Sequence, residues 1–372
     1  MTAVDREVPF FNYPHVFMQR EQELVDIVRD VGARGAYILQ RDLEQFERNL
    51  ADFVGAGYAL GVANGTDALI IALRAAGIED GDEVIFSSHT YIATAASIHF
   101  AGAVPVPVEC RSDHMIDPAA VEEAITTRTR AIMPTQLNGR TCDMDALGRI
   151  AEEHQLLIVE DAAQGVGSRF KGRGAGTFGI AGTYSFYPAK TLGSLGDGGA
   201  VVTNDAGMFE RMSLLRDHGR DGGGEVVAWG LNSRLDNLQA AILDHKLGYY
   251  GEEIARRREI AASYRAGLAG LDEVVLPPGP DDDSEHFDVY QNYELEAESR
   301  DELKQFLRER GIGTLIQWGG KPVHQFSKLG FTSSLPFTDA IFRRCLMLPM
   351  NTALSDADVD HIILAIREFY GR

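Results

Sequence analysis

The sequence predicts an α/β protein that has a large domain with a mainly parallel, mixed sheet and a smaller C-terminal α+β domain. From about Leu60 to Asn204, short apolar runs alternate with segments of helical periodicity, which is typical of strand and helix units on a parallel sheet. After Asn204 the pattern changes, and 372 residues exceed the length that one hydrophobic core normally supports. We therefore predict a large domain over residues 1–250 and a small domain over residues 251–372.

The predicted large domain begins with two amphipathic helices, at residues 21–31 and 41–54. Short apolar runs typical of buried strands follow at residues 59–63, 83–86, 104–108, 130–135, 156–160, 182–186 and 200–203. Helical periodicity lies between them at residues 66–76, 94–101, 118–126 and 144–154. Asp143 is a favourable N-cap for the last of these helices.

The region after the sheet begins with helices at residues 206–217 and 235–247. A long, charge-laced helix at residues 252–268 can bridge two domains, and an acidic, proline-containing loop follows at residues 277–283. The predicted small domain then contains an alternating strand at 287–295, a helix at 300–310, a strand near 314–318 and a helix at 356–370.

The charge balance bears on the partners. With 35 Lys+Arg against 55 Asp+Glu, the formal net charge is −20, which opposes the phosphate neutralisation that nucleic-acid binding requires. The N-terminal residues lack the basic and then apolar order of a signal peptide, and no apolar run approaches the roughly 18 residues that span a bilayer. We expect a cytoplasmic protein without a nucleic-acid or membrane partner.

The cysteines indicate neither a disulfide framework nor a metal site. Cys110, Cys142 and Cys345 are widely spaced, odd in number and free of CxxC or Cys/His metal spacing. We expect buried structural thiols.

Two motif matches do not have the structural setting that their functions need. Residues 174–179 satisfy GxGxxG, but they follow a polar turn and precede a predicted strand, whereas dinucleotide binding needs a strand before and a helix after. Lys190-Thr191 resembles the end of a phosphate-binding P-loop, but Tyr184 and Ala189 occupy the positions where that motif needs glycines.

A carboxylate and a lysine lie at the ends of two predicted strands. Asp161 follows the strand at 156–160, and Lys190 lies just beyond the strand at 182–186. Ligands of open α/β sheets collect at the carboxyl ends of strands. Pyridoxal phosphate needs both groups: a lysine amine to form a Schiff base, and a carboxylate on the pyridine nitrogen to keep it protonated.

The other parts of a site for such a cofactor are also present. Asn64-Gly65-Thr66-Asp67 precedes an apolar helix and offers backbone N–H groups for a phosphate, with Gly65 permitting close approach of the backbone. Ser185 can donate a hydroxyl to the same phosphate, and Tyr91 can stack on the ring. Each feature has an ordinary explanation as a cap, a turn or a packing residue, so it is their combination that indicates a cofactor site.

Six short motifs lie along the chain in this order: residues 64–69 (NGTDAL), 81–85 (GDEVI), 160–164 (EDAAQ), 185–190 (SFYPAK), 196–199 (GDGG) and 230–235 (GLNSRL). In these motifs, and from about Val8 to the C-terminus, the sequence resembles the DegT/DnrJ/EryC1/StrS family of sugar aminotransferases, which are fold type I (aspartate aminotransferase-like) pyridoxal-phosphate enzymes.

The resemblance implies a three-layer large domain and pyridoxal 5′-phosphate as cofactor, with pyridoxamine phosphate as its alternate form. It implies these roles: Lys190 as the Schiff-base lysine, Asp161 on the pyridine nitrogen, Gln164 near the phenolic oxygen, Tyr91 on the opposite face, and Gly65, Thr66 and Ser185 on the phosphate. It also implies that Asn232 reaches the phosphate of the neighbouring subunit, so that a homodimer shares its active sites.

The substrate contacts are less clearly marked. Tyr187, next to the lysine segment, and His324 are the candidates for contact with a sugar. Family members often carry glycine where this chain has Gln40, and a His-Leu-Tyr-Gly-like segment where it has residues 136–139 (QLNG). These differences bear on the substrate contacts and not on the cofactor site.

The function that the resemblance implies is transfer of an amino group from an amino acid, with glutamate expected, to a keto group of a nucleotide-linked deoxysugar, with position 4 expected. Lys190 then acts as both cofactor tether and general base. A cyclitol aminotransferase is an alternative. A sugar dehydratase is disfavoured because its relatives carry histidine at the lysine position, and a non-catalytic cofactor-binding regulator is disfavoured by the complete catalytic set.

Overall fold

The computed structural model describes residues 6–372. Residues 1–5, which begin the predicted large domain and the segment tested for a signal peptide, lie outside the described residues. The α-helices are α1 (Tyr13–Met18), α2 (Glu21–Arg34), α3 (Arg41–Val54), α4 (Gly65–Ala75), α5 (Ile92–Phe100), α6 (Pro118–Glu123), α7 (Met144–His154), α8 (Ala206–Arg216), α9 (Asn237–Leu247), α10 (Tyr250–Leu268), α11 (Arg300–Glu309), α12 (Pro336–Arg344) and α13 (Asp356–Phe369). The strands are β1 (Tyr58–Val62), β2 (Glu83–Ser87), β3 (Val104–Val108), β4 (Thr129–Met133), β5 (Leu157–Asp161), β6 (Arg169–Phe170), β7 (Arg173–Gly174), β8 (Ala181–Ser185), β9 (Gly199–Thr203), β10 (Val274–Val275), β11 (His286–Phe287), β12 (Tyr293–Ala297) and β13 (Cys345–Leu348).

Within these residues the large sheet has seven strands in the order β1-β9-β8-β5-β4-β2-β3. Strands β8, β5, β4, β2 and β3 pair in parallel, and β9 runs antiparallel to both of its neighbours. This mixed, mainly parallel sheet confirms the predicted fold class. Because β9 alone is reversed, the carboxyl ends of β1, β2, β4, β5 and β8 lie at one edge of the sheet.

Helices cover both faces of this sheet, since successive strand residues point to opposite sides. In β2, Val84 and Phe86 pack against α4 and α5, whereas Ile85 packs on the opposite side with residues of α7. In β9, Ala200 and Val202 pack with α3 and α9. Three layers result, with the sheet in the middle.

The GxGxxG run forms a cage around a buried carboxylate. The backbone N–H groups of Gly176, Phe178 and Gly179 donate to Glu160 at 2.6–2.9 Å, and the Gln136 amide donates to it at 2.7 Å. Glu160 is on β5 and fully buried. The glycine-rich segment therefore binds a side chain of its own domain, and this agrees with the absence of a following helix at this position.

The C-terminal region has a core of its own. Strands β10, β12 and β13 form a sheet that packs with α10, α11 and α13 around residues such as Leu295, Leu303 and Ile362. The first turns of α10, with Tyr250 and Ile254, pack instead in the core of the large region. Helix α10 thus bridges the two cores, as its charge pattern predicts, while the domain division at residue 250 stays a prediction.

Two predicted strands differ from the structure. The strand predicted at 314–318 is not formed: Leu315 makes a single bridge to Met347, and Gln317–Gly320 is a 3₁₀ turn with positive φ angles at Trp318 and Gly319. The strand predicted at 287–295 is interrupted by Tyr290, which has a φ of 50°. The chain turns there, so β11 and β12 join different sheets. A period-two pattern does not reveal such backbone reversals.

Six of the helices and strands are absent from the sequence prediction: α1, α12, β6, β7, β10 and β13, of which β6, β7 and β10 have two residues each. Helix α1 has six residues, and α12 has nine residues with a proline in its first turn. Segments this short give weak periodicity, and β13 has four residues that are buried on every side. Over residues 6–372, no helix is both long enough and apolar enough to cross a membrane.

Replacing Glu160 with Gln should lower the free energy of unfolding by about 2–3 kcal/mol, because the new amide group must face two N–H donors inside the cage. The matched control is Glu152→Gln on the exposed side of α7, which should leave stability close to that of the wild type. Urea unfolding followed by circular dichroism measures the difference. Equal midpoints for the two variants would show that the cage does not depend on the charge of Glu160.

Candidate active site

A cavity of about 560 Å³ opens at the edge of the sheet where the carboxyl ends of the strands meet. It is lined by predicted site residues from four segments: Gly65, Thr66, Tyr91, Asp161, Gln164, Ser185, Tyr187 and Lys190. The volume falls in the range of about 300–1,000 Å³ typical of small-molecule sites. The structure thus brings together every predicted site residue except Asn232 and His324.

Asp161 ends strand β5 and is fixed by hydrogen bonds from three sides. Its backbone N–H donates to the Pro134 carbonyl, and its carboxylate accepts from the Thr94 hydroxyl at 2.6 Å and the Ala163 N–H at 3.2 Å. Burial raises the pKa of Asp161, while these two donors and the charge of Lys190 act in the opposite direction. A carboxylate with a raised pKa is suited to share a proton with a bound pyridine nitrogen.

Lys190 lies in the turn after β8, where its backbone N–H donates to the Tyr187 carbonyl at 2.8 Å. Burial lowers the pKa of Lys190 to about 8, and the charge of Asp161 acts against this shift. A larger share of its amine is therefore neutral near neutral pH than for an exposed lysine. A neutral amine is the form that attacks a carbonyl carbon.

The start of α4 forms a cradle for an anion. Asn64 caps the helix by accepting from the Asp67 N–H at 2.8 Å, and the first N–H groups of the helix have no partner within it. A Cβ at Gly65 would lie 2.8 Å from the Cβ of Ser185, and one at Gly199 would lie 2.5 Å from the carbonyl carbon of Asn64. The segments around Gly65 and Gly199 can approach their neighbours this closely only because both residues lack a side chain. This close approach shapes the space for a phosphate.

Aromatic side chains form the outer walls. Tyr91 is 56% exposed, and its ring lies 5.3 Å from the ring of Trp318. Tyr187 lines the cavity and is also exposed. Both tyrosines are therefore available to a bound ring or substrate.

Gln164 is held by the 3₁₀ turn at residues 137–139. Its Oε1 accepts the backbone N–H of Asn138 at 2.7 Å. The amide is thereby oriented, and its Nε2 group is left as the donor on the cavity side. This orientation suits a contact with an acceptor such as a phenolic oxygen.

Two predicted site residues lie elsewhere. Asn232 pairs with Asp217 in a single bridge away from the cavity of its own chain, so its predicted contact with a neighbouring subunit stays a prediction. His324 is buried: its Nδ1 lies 2.8 Å from the Ser88 hydroxyl and its Nε2 lies 3.1 Å from Asp339. Both ring nitrogens thus have protein partners, and the predicted contact of His324 with a sugar stays a prediction.

Several residues of the site are missing from the sequence prediction. A chain of hydroxyls from Thr135 through Thr90 to Thr94, with oxygens 2.8–2.9 Å apart, leads to Asp161. The i, i+4 spacing of Thr90 and Thr94 after a strand was the available signal, but it is common. Phe10, Asn292, Gln317 and Trp318 also line the cavity, and they come from distant parts of the chain that periodicity cannot bring together.

The arrangement defines a class of enzyme. A partly buried lysine with a lowered pKa, a carboxylate at the same cavity, an anion cradle and a flanking tyrosine suit a cofactor with an aldehyde, a pyridine ring and a phosphate. The site is therefore that of a pyridoxal-phosphate enzyme.

Residues 18–367 match the model of the DegT/DnrJ/EryC1/StrS aminotransferase family, and the chain belongs to this family. It is a pyridoxal-phosphate-dependent aminotransferase. The resemblance drawn from the motifs is confirmed over nearly the whole chain.

Individual relatives agree with the family assignment. The chain is 42% identical to the dTDP-3-amino-3,4,6-trideoxy-alpha-D-glucose transaminase of Streptomyces venezuelae, over 98% of this chain and 97% of that protein. The structure of S. venezuelae DesV with a ketimine intermediate matches with a TM-score of 0.94 and 41% identity, over 98% of this chain and 99% of the other. The structure of NtdA from Bacillus subtilis with bound cofactor PMP matches with a TM-score of 0.91 and 26% identity, over 99% of this chain and 87% of the other. Three further relatives at 34–39% identity are named after sugars with a 3-amino, 3-oxo or 3-dehydro group.

Chemical labelling should detect the lowered pKa of Lys190. In the cofactor-free protein, acetylation of Lys190 should rise with pH with a midpoint near 8, since the neutral amine is the reacting form. Exposed Lys171, whose pKa is raised by hydrogen bonds to Asp145 and Glu285, should react only at higher pH. Peptide mass spectrometry measures both sites.

The variant Asp161→Asn adds a sign test to the labelling experiment. Because the charge of Asp161 raises the pKa of Lys190, its removal should move the midpoint of Lys190 labelling to lower pH. A midpoint that stays unchanged, or moves upward, would contradict the coupling of the two groups.

Replacing Gly199 with Ala should weaken pyridoxal-phosphate binding by about tenfold or more, because the new methyl group displaces the turn at Asn64 and Gly65. Titration of cofactor-free protein, followed by fluorescence, gives the dissociation constant. Gly148→Ala is the matched control, since a Cβ at Gly148 in α7 meets no atom within 4 Å. Equal affinity in the two variants would place the phosphate elsewhere.

Proposed function

We propose that this aminotransferase moves an amino group from an amino acid, with L-glutamate as donor, to a keto group of a nucleotide-linked deoxysugar. The observation that carries the proposal is the pairing of Lys190 and Asp161 in one cavity with an anion cradle. The names of the relatives supply the substrate class.

Lys190 has two tasks in this proposal. Its amine holds the cofactor between reactions, and once displaced by the amino donor it moves a proton to and from the α-carbon of the substrate. The lowered pKa favours both tasks, because the amine must be neutral to accept that proton. The bound cofactor supplies an electron sink for the carbanion that forms when the proton leaves.

Asp161 would control the protonation of the pyridine nitrogen of the cofactor. Its buried carboxylate would hold a proton on the pyridine nitrogen, and the hydroxyl of Thr94 holds one of its oxygens in place. Gly65, Thr66 and Ser185 would bind the phosphate, and Tyr91 and Gln164 would flank the ring. Tyr187, which lines the cavity, and His324, which lies outside it, are the candidates for contact with the sugar.

The position of the keto group separates two versions of the proposal. The resemblance in the sequence favours position 4, whereas the names of several relatives at 34–42% identity, though not of all of them, refer to position 3. We therefore favour a 3-keto substrate and keep the 4-keto sugar as the second candidate.

We further propose that the active site is completed by a second copy of the chain. Over residues 6–372, Lys190 is the one basic side chain that lines the cavity, yet a nucleotide diphosphate needs cations or N–H donors. Asn232 lies outside the cavity of its own chain, close in sequence to exposed Val226, Val227 and Trp229, the last of which is 96% exposed. An exposed apolar segment of this kind favours a homodimer interface.

The alternative functions have less support. A cyclitol aminotransferase would need the same catalytic residues but no nucleotide site. A sugar dehydratase is disfavoured by Lys190, and a non-catalytic regulator is disfavoured by the close grouping of the complete catalytic set.

A screen of keto substrates should identify the acceptor. We expect the purified enzyme, with glutamate, to aminate a nucleotide-linked 3-keto-deoxysugar, as shown by the mass of the product. Nucleotide-linked 4-keto sugars and keto-inositol are the comparison substrates. Turnover of keto-inositol alone would overturn the nucleotide-sugar proposal.

The variant Lys190→Ala is the control for the screen. It should lose turnover with every donor by several orders of magnitude, since both the tether and the proton carrier are removed. The wild-type protein should show a visible absorption band that bleaches when glutamate is added. Full activity of the variant would contradict the role of Lys190.

A further inference from the structure

Behind the cavity, a buried carboxylate of the small sheet lies among groups of the large region. Glu294 is on β12, and its side chain is fully buried. Its Oε2 accepts from His114 Nδ1 at 2.9 Å and from the Asn138 side-chain amide at 2.8 Å. Its Oε1 lies 3.5 Å from the Nε2 of His89, which is also fully buried.

The charges of this cluster support an ionised Glu294. Burial opposes ionisation, but the neighbouring imidazoles hold the pKa of the Glu294 carboxyl well below its usual range. Burial lowers the pKa of His89, so the positive charge of the cluster lies on His114. Burial alone would lower the pKa of His114, whereas Glu294 and Glu296 raise it to about 9. At neutral pH His114 is therefore an imidazolium and Glu294 a carboxylate. Hydrogen bonds between charged groups are strong, and burial from water strengthens this one further.

One route from Glu294 leads to Gln164. Asn138 has a φ of 55°, a left-handed conformation that asparagine tolerates better than most residues. Its side chain is held by Glu294, Asn292 and Gln317. Its backbone N–H in turn orients the Gln164 amide. The side-chain contacts therefore fix the strained turn that presents the donor to Gln164.

A second route from Glu294 leads to the opposite wall of the cavity. His89 is followed in the chain by Thr90 and Tyr91. The hydroxyl of Thr90 contacts the hydroxyls of Thr94 and Thr135, and Tyr91 lines the cavity. Among the described residues, the imidazole of His89 makes no hydrogen bond and is held by packing between Glu294 and the ring of Phe342, 4.6 Å away, which restrains the loop that carries Tyr91.

We propose that Glu294 is a positioning residue that holds both walls of the cofactor site, Gln164 through Asn138 and Tyr91 through His89. This inference rests on the proposed roles of Gln164 and Tyr91 toward the cofactor, and it is independent of which sugar is aminated. Glu294 does not itself line the cavity, so it acts through its neighbours.

The test is the pH titration of the visible absorption band of the bound cofactor. The Nε2 group of Gln164 stabilises the deprotonated phenolic oxygen, so loss of its orientation should move the midpoint of the titration upward. In Glu294→Leu we expect a rise of about half to one pH unit, the equivalent of one net hydrogen bond. Glu294→Gln can still place an oxygen between His114 and Asn138, and should recover most of the wild-type midpoint.

Two further variants separate positioning from folding. Asn138→Gly keeps the backbone N–H and relieves the φ strain but removes the side-chain link, so it should shift the midpoint in the same direction as Glu294→Leu. It also decides the question if Glu294→Leu does not fold. Glu296→Gln is the matched control, because Glu296 lies 3.6 Å from His114 but contacts neither Asn138 nor His89. Its midpoint should equal that of the wild type.

The outcomes are distinct. If Asn138→Gly and every folded Glu294 variant titrate like the wild type, the positioning role is overturned. If Glu296→Gln shifts as much as Glu294→Leu, the effect comes from the charge of His114 and the proposed routes are wrong. Absence of any cofactor band in the wild-type protein would instead defeat the proposed cofactor roles on which this inference rests.

Discussion

The adjacency of β5 and β8 is the constraint on which the site depends. The two strands pair in parallel, with Asp161 opposite Thr183, so their carboxyl ends lie side by side at one edge of the sheet. Asp161 ends one strand, and Lys190 follows the other by a short turn. Burial then acts on both groups in opposite senses, raising the pKa of the acid and lowering that of the amine. The charge of each group reduces the pKa shift that burial causes in the other. A reactive amine and an acid can therefore lie in the same cavity.

The remaining parts of the cavity follow from the direction of the strands. Strand β1 runs in the same direction as β8, because β9 between them is reversed. The start of α4 therefore faces the same edge as Lys190, and the first glycine of β9 fits beneath the turn at Asn64. A single reversed strand thus places an anion cradle next to a reactive amine, in a chain whose net charge of −20 offers no general attraction to phosphate.

The sequence predicts the large region and the inner site well, because their signals are local. Apolar runs place the strands within a few residues, and a short motif follows each strand that contributes to the cavity. The outer site is different. Trp318 and Gln317 lie in a turn with positive φ angles that reads as a strand, and Asn138 acts through a network that joins it to Asn292 and Glu294. Such contacts depend on tertiary geometry, which neither propensity nor spacing encodes. The same holds for the surroundings of His324, because the sequence does not reveal that its ring nitrogens lie next to Ser88 and Asp339.

Glu160 and Asp161 are neighbours in β5 but face opposite sides of the sheet. One carboxylate is enclosed by the backbone of residues 176–179, and the other faces the cavity. A shift of this strand by a single residue would turn Glu160 away from the cage of residues 176–179 and Asp161 away from the cavity. The cage would then lack its carboxylate, and the cofactor site would lack its acid. The length of β5 and of the segment leading into it is therefore constrained more strictly than its apolar side chains, because an insertion or deletion of one residue would exchange the two carboxylates.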